Sequence, residues 1–205
     1  MLGSKGFDLW ADGYDRSVGL SDDDGSYPFA GYRDVLAYIF SDVMSVPGAA
    51  VLDLGFGTGV LTARLYQQGC EVYGQDFSGR MLEIAEEKMP YAHLYCGDLS
   101  EGLAAPLTER RYDRIIATYS LHHLAEDIRT EFLRYLTGLL EDNGKILIGD
   151  VAFPTRAEFD ECRDAAGEEW DDEEFYFVAD EMAGIFPGMT FTKLSHCAGV
   201  IGIPR

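Results

Sequence analysis

The chain has 205 residues, with 36 Asp and Glu against 16 Lys and Arg, a formal net charge of −20. That charge repels phosphate backbones and disfavours nucleic-acid substrates, while 47% apolar and 25% charged residues are the balance of an ordinary globular domain with a substantial core. No apolar run has the ~20 residues of a membrane span.

The first residues, Met1 to Gly6, lack the apolar centre of a secretory signal. Cys70, Cys96, Cys162 and Cys197 include no C-x-x-C pair, so neither a thiolate zinc site nor a redox pair is indicated. Reduced cysteines fit a cytoplasmic protein. Over residues 3–19, Phe7, Trp10, Ala11 and Tyr14 recur at i, i+3, i+4, i+7 and predict one helical face. Residues 20–31 read as a loop. Its Asp22, Asp23 and Asp24 lack the alternation of a calcium loop, so a solvated loop is expected. Residues 32–44 carry Tyr32, Val35, Leu36, Ile39, Phe40 and Val43 on one face, and Pro47-Gly48 ends that helix. Residues 1–45 are therefore expected to form an N-terminal helical cap.

Residues 51–54 read as a buried strand that runs into Gly55-Phe56-Gly57-Thr58-Gly59 and then a helix over 60–68, closed by Gly69. Glycines at such a turn allow positive φ and close backbone approach, and the free N–H groups of the helix start face a ligand. A dinucleotide site wants G-x-G-x-x-G. Here Val60 stands where the third Gly belongs. Residues 71–76 form the next strand, and Asp76 at its end can accept hydrogen bonds from two ribose hydroxyls, a geometry that serves NAD and S-adenosylmethionine (AdoMet) alike. Ser78 is the expected N-cap of a helix carrying Met81, Leu82 and Ala85, which Pro90 ends. Residues 92–96 are a third strand, followed by Gly97-Asp98-Leu99.

Residues 112–118 are the fourth strand, followed by Tyr119-Ser120-Leu121-His122-His123-Leu124. A histidine here can take a proton, its ordinary pKa being about 6.5; orienting the loop or capping the next helix is the alternative. Adjacent histidines on an α-helix point about 100° apart, so a shared role is not expected. Nor is a metal, since i, i+4 spacing would be needed on one helical face. A helix over 129–140, a turn at Glu141-Asp142-Asn143-Gly144 and a fifth strand over 145–151 follow. This alternation argues a parallel sheet with helices on both faces. Residues 153–188 break it with acidic and aromatic composition. They suggest helices over 156–166 and 174–186, as a lid or a plain outer layer. Residues 189–194 and 199–203 read as an antiparallel hairpin, whereas NAD-binding domains usually continue in parallel.

Four motifs in order carry a resemblance. Asp53-x-Gly55-x-Gly57-x-Gly59 and Gly74-x-Asp76-x-Ser78-x-x-Met81-Leu82 resemble the first two motifs of class I AdoMet-dependent methyltransferases. Thr118-Tyr119-x-x-His122-His123-Leu124 and Phe7-Asp8-x-Trp10-Ala11-x-x-Tyr14-Asp15 resemble segments of the small bacterial YrrT-like methyltransferases. The resemblance implies an α/β class: a Rossmann-like, seven-stranded, mostly parallel sheet with an antiparallel last strand, in a single domain over 1–205. It implies S-adenosyl-L-methionine as cofactor, its sulfonium cation suited to an acidic protein. Asp53, Gly55, Gly57 and Thr58 are expected at its amino acid end, Asp76 at ribose, and Asp98 and Leu99 at adenine. Phe56, Phe77, Met81, Gly97, Thr118 and Tyr119 complete the cofactor set. His123 and Tyr14 are the acceptor-side catalytic candidates, and 153–188 an acceptor-side lid. The expected partner is a small-molecule acceptor, with no nucleic acid, membrane or metal, in a monomer or homodimer. An NAD-dependent oxidoreductase, a non-catalytic AdoMet-binding protein and an interaction module using the acidic aromatic segment stay open as alternatives.

Overall fold

The structure is a computed structural model that describes residues 25–205. The helix expected over 3–19, with Tyr14, and the acidic loop residues Asp22, Asp23 and Asp24 lie outside the described residues.

In chain order the elements are α1 (Tyr32–Met44), β1 (Ala50–Leu54), α2 (Thr62–Gln67), β2 (Glu71–Asp76), α3 (Gly79–Lys88), β3 (His93–Cys96), α4 (Ala105–Thr108) and β4 (Tyr112–Thr118). Then come α5 (Glu126–Thr137), β5 (Leu140–Phe153), α6 (Arg156–Ala166), β6 (Phe177–Val178), α7 (Ala179–Ala183), β7 (Thr190–Lys193) and β8 (Ala198–Pro204). The sheet order is β3-β2-β1-β4-β5-β8-β7. β1 to β5 pair in parallel, and β8 runs antiparallel to both β5 and β7. The expected sheet is therefore present, with the reversed last strand inserted between β5 and β7 rather than at the edge. The two-residue β6 is an addition, pairing in parallel with the end of β5.

Strand residues alternate between two cores because successive side chains leave a strand on opposite faces. Val51, Ile116 and Leu147 enter one core with Val35, Ile39 and Val43 of α1, Leu65 of α2 and Ala85 of α3. Leu52, Ile115 and Ile146 enter the other with Phe132, Leu133 and Leu136 of α5. Burial on both faces explains why these strands read as unbroken apolar runs. An ion-pair cluster fixes α1 over the sheet. Asp42 accepts from Arg114 Nε of β4 at 2.7 Å and from Lys145 Nζ of β5 at 2.8 Å. Burial opposes its charge, but the two cations outweigh burial and hold the carboxyl below its ordinary pKa.

Two local expectations are corrected. The turn expected at Glu141 to Gly144 is an irregularity inside β5, where the pairing with β4 shifts register between Tyr112 and Arg114. Gly144 is there for close approach, since a Cβ would sit 2.9 Å from the Tyr112 carbonyl oxygen. The helix expected over 174–186 shrinks to α7, because Phe177 and Val178 extend to pair with Ala152 and Phe153. Pairing satisfies backbone groups that a helix would have satisfied internally, and it buries Phe177 completely. The helix expected over 156–166 forms as α6.

Candidate active site

The sheet order reverses between β1 and β4, the place where open α/β sheets bind ligands beyond their carboxyl ends. A cleft of about 180 Å³ opens there. Its floor is the glycine turn after β1. Gly55 has φ +74°, and a Cβ on it would lie 2.4 Å from the Ser120 Cβ, so only glycine fits. Ser120 Oγ in turn donates to the Leu54 carbonyl at 2.6 Å and ties the loop after β4 to the end of β1.

Asp76 closes the turn from the side. Its Oδ2 accepts from the Gly57 N–H at 2.8 Å and its Oδ1 from the Ser78 N–H at 2.9 Å. Ser78 caps α3 as expected, its Oγ accepting from the Met81 N–H at 3.1 Å. Each carboxylate oxygen has a further lone-pair site, and Asp76 lies in the cleft wall. Asp98 also lines the cleft, with Oδ1 accepting from the Ser100 N–H at 2.8 Å. Across the cleft Tyr119 has φ +50°, a strained value for a residue with a Cβ. Its N–H donates to the Gly149 carbonyl at 2.9 Å, and its ring packs on Phe29 and Tyr32 at 5.3 Å from each.

A second cavity of about 30 Å³ adjoins the first, sharing Gly55, Gly57 and Thr118. Asp53 lines it, fully buried, with Oδ2 accepting from the Thr62 hydroxyl. Its Oδ1 has no hydrogen-bond partner among the described residues. Burial, then the charge of Asp76, pushes the Asp53 carboxyl up to about 7. A buried carboxylate oxygen without a donor is what an ammonium group or a water would satisfy.

At the other side His122 and His123 occupy a short 3-10 turn, Leu121–His123. Asp150 of β5 accepts from His122 Nδ1 at 2.7 Å. Burial opposes a charge on His122, but the Asp150 carboxylate outweighs it and Glu174 adds to it, so the ring is held above its ordinary pKa. His123, which lines the cleft, is pushed down to about 4 by burial and then by the charge of His122. The ring is therefore neutral at neutral pH, and burial makes it a weak base.

A methyltransferase-domain family model matches residues 51–144. An uncharacterized methyltransferase of Geobacillus sp. (strain WCH70) is 36% identical over 177 residues, covering 86% of this chain and 78% of the relative. The chain belongs to the methyltransferase family of this relative. A relative in Bacillus cereus (strain ATCC 10987 / NRS 248), also an uncharacterized methyltransferase, is 32% identical over 207 residues and covers 95% of this chain and 94% of itself. The magnesium protoporphyrin IX methyltransferase of Synechocystis PCC 6803, solved with bound S-adenosylhomocysteine, shares the fold. Its TM-score is 0.65 at 19% identity, over 86% of this chain and 84% of that one.

In this methyltransferase the cleft collects Gly55, Gly57, Asp76, Phe77, Met81, Asp98, Leu99, Thr118, Tyr119 and His123 from the sequence-derived set. Asp53, Phe56 and Thr58 line the adjoining cavity instead. The Phe56 ring packs over Gly74, where a Cβ would meet it at 2.7 Å. Gly97 lines neither cavity and faces the Gln75 side chain. Tyr14 lies outside the described residues. Ser100, Ser120 and Leu124 line the cleft without having been singled out. Asp150 was visible as a lone acid in an apolar strand, but Glu174 sits in an acidic run that offered no signal.

Proposed function

We propose that this chain binds AdoMet in the cleft between β1, β2 and β4 and transfers its methyl group to a small-molecule acceptor. The observation that carries the reading is the Asp76 carboxylate in the cleft wall at the end of β2, fixed against the glycine turn by the Gly57 and Ser78 N–H groups, where a ribose would meet it. Asp53 supports it: the oxygen left without a donor at the small adjoining cavity suits the ammonium of the cofactor's amino acid end. Asp98 and Leu99, in the cleft lining, are read as the adenine contacts, and Thr118 and Tyr119 as neighbours of the reacting end.

When bound, AdoMet supplies a methyl carbon on a sulfonium already activated for in-line displacement. The chain's own residues position the partners and exclude water. His123, neutral in the cleft wall, is the acceptor-side residue, able to hydrogen-bond the acceptor. The segment around Glu174 and Tyr176 stands over this end. Tyr176 stacks edge-on to His122 at 6.0 Å and packs on Trp170 at 4.9 Å, so 153–188 serves as the acceptor-side wall. A small acceptor suits a cleft of about 180 Å³ in a chain of net charge −20.

Isothermal titration of AdoMet and S-adenosylhomocysteine into wild type and Asp76→Ala tests the reading. Micromolar binding is expected (about −8 kcal/mol), weakened by roughly 1–3 kcal/mol in the variant, as for a hydrogen-bonded charged partner. A wild type that binds neither ligand sinks it.

A further inference from the structure

Two histidines and a glutamate from distant parts of the chain meet beside the cleft. His122 and His123 come from the turn after β4, and Glu174 from the segment between α6 and β6. The Phe175 N–H donates to the His122 carbonyl at 2.8 Å, so a backbone bond brings Glu174 to the turn. His122 Nε2 then lies 3.5 Å from Glu174 Oε1, and His123 Nδ1 lies 4.0 Å from the same oxygen. One ligand-capable atom from each of the three falls within 4.8 Å of the others.

These spacings are too long for charge-assisted hydrogen bonds, which close to about 2.7–2.9 Å. The bond on the other side of the same ring does close, at 2.7 Å to Asp150. An ionised carboxylate can only accept, so His122 Nδ1 carries a hydrogen, and in the neutral ring that a metal would bind Nε2 presents the lone pair. Zinc bonds to nitrogen and oxygen of about 2.1 Å put tetrahedral ligands roughly 3.4 Å apart, close to the spacing between His122 and Glu174. A carboxylate on the far nitrogen is also the usual partner of a metal-bound histidine, fixing its tautomer and orientation.

The geometry points to a divalent transition-metal site made by His122, His123 and Glu174, with Asp150 as orienting partner and the remaining coordination positions bordering the cleft. Two imidazoles and a carboxylate are the donor set of open zinc and non-haem iron sites. The expectation of no metal rested on the i, i+4 spacing that two ligands on one α-helical face require. In the 3-10 turn the two ring centroids are 4.2 Å apart, and the third ligand arrives from another segment. An open position suits the heteroatom of an acceptor hydroxyl or thiol, a use that rests on the methyltransferase reading of the cleft. There the heteroatom–hydrogen bond breaks and the proton passes to water. The exposed lone pair forms the new bond to the methyl carbon, and the carbon–sulfur electron pair leaves with the thioether.

The test is titration of Co²⁺ into chelator-stripped wild type, Glu174→Gln and His123→Gln, read by visible d–d absorption and competed with Zn²⁺. Thermal unfolding of each variant confirms that it is folded. One saturable Co²⁺ per chain, displaced by Zn²⁺, is expected in wild type, with affinity reduced roughly tenfold or more in either variant. A wild type with no saturable signal, or folded variants that bind as tightly as wild type, overturns the site. His122 would then be an imidazolium between the Asp150 and Glu174 carboxylates. AdoMet titrated into the same samples separates the two readings: AdoMet binding without metal removes only this site, and metal binding without AdoMet removes only the cofactor assignment.

Discussion

Asp53 shows how one residue of the glycine motif couples the cofactor pocket to stability. Its carboxyl is pushed by burial and then by Asp76 from an ordinary 3.8 to about 7. Between those values the folded chain keeps a proton that the unfolded chain has lost, so stability falls as pH rises through the window. Asp53→Asn stays neutral and escapes that penalty. We expect it to stabilise the ligand-free protein by on the order of 2 kcal/mol more at pH 8 than at pH 5. Urea midpoints at the two pH values measure this, and an equal effect at both would show that Asp53 is not held protonated. The same substitution should weaken AdoMet, since Asn offers an ammonium no charge. Gly55→Ala tests the turn itself. A positive φ and a Cβ 2.4 Å from that of Ser120 should cost about 1–3 kcal/mol and loosen the cleft floor, read as a lower Tm with weaker AdoMet binding. A Gly55→Ala protein as stable as wild type would show that the loop after β4 yields freely.

At the scale of elements, α1 and β5 decide how closely the N-terminal layer seats over the sheet. Gly149 in β5 leaves room for it: a Cβ there would lie 2.3 Å from Val35 Cγ1 and 2.8 Å from Ile39 Cδ1. Gly149→Ala should push α1 outward at a cost of about 1–3 kcal/mol. Because Gly149 also accepts from the Tyr119 N–H, the strain should reach the cleft as weaker cofactor binding. Thermal unfolding with AdoMet titration measures both, and a neutral substitution would mean that α1 is not tightly seated. The helix periodicity of α1 and the apolar runs of β1, β4 and β5 were legible because each is a local pattern repeated over several residues. The segment around Phe177 was misread because its apolar residues fit a helix locally, and only the free edge at the end of β5 turns them into a strand.

For the whole molecule, the charge of −20 places like charges around a compact body, and their repulsion opposes folding. Salt screens it, with a Debye length of about 10 Å at 0.1 M. The urea midpoint should therefore rise as NaCl is raised from low concentration to about 0.3 M; a midpoint that stays flat would mean that pairs such as Arg156–Glu181 and Arg110–Glu71 already offset the excess. Among the described residues no helix is long and apolar enough to cross a membrane.

The sequence by itself determined the alternation of strands and helices, the glycine turn and the acid after β2. Each of these is written in residues a few positions apart, where spacing maps directly onto backbone geometry. Only the tertiary structure decided what surrounds them. The sheet order brings Asp150 beneath His122, and a backbone bond from Phe175 sets Glu174 against both histidines. Spacing along the chain cannot encode that meeting, because it depends on which strands become neighbours and on which edge a later segment pairs with. Burial, which raises Asp53 and lowers His123, is likewise a property of the packed layers and not of any motif.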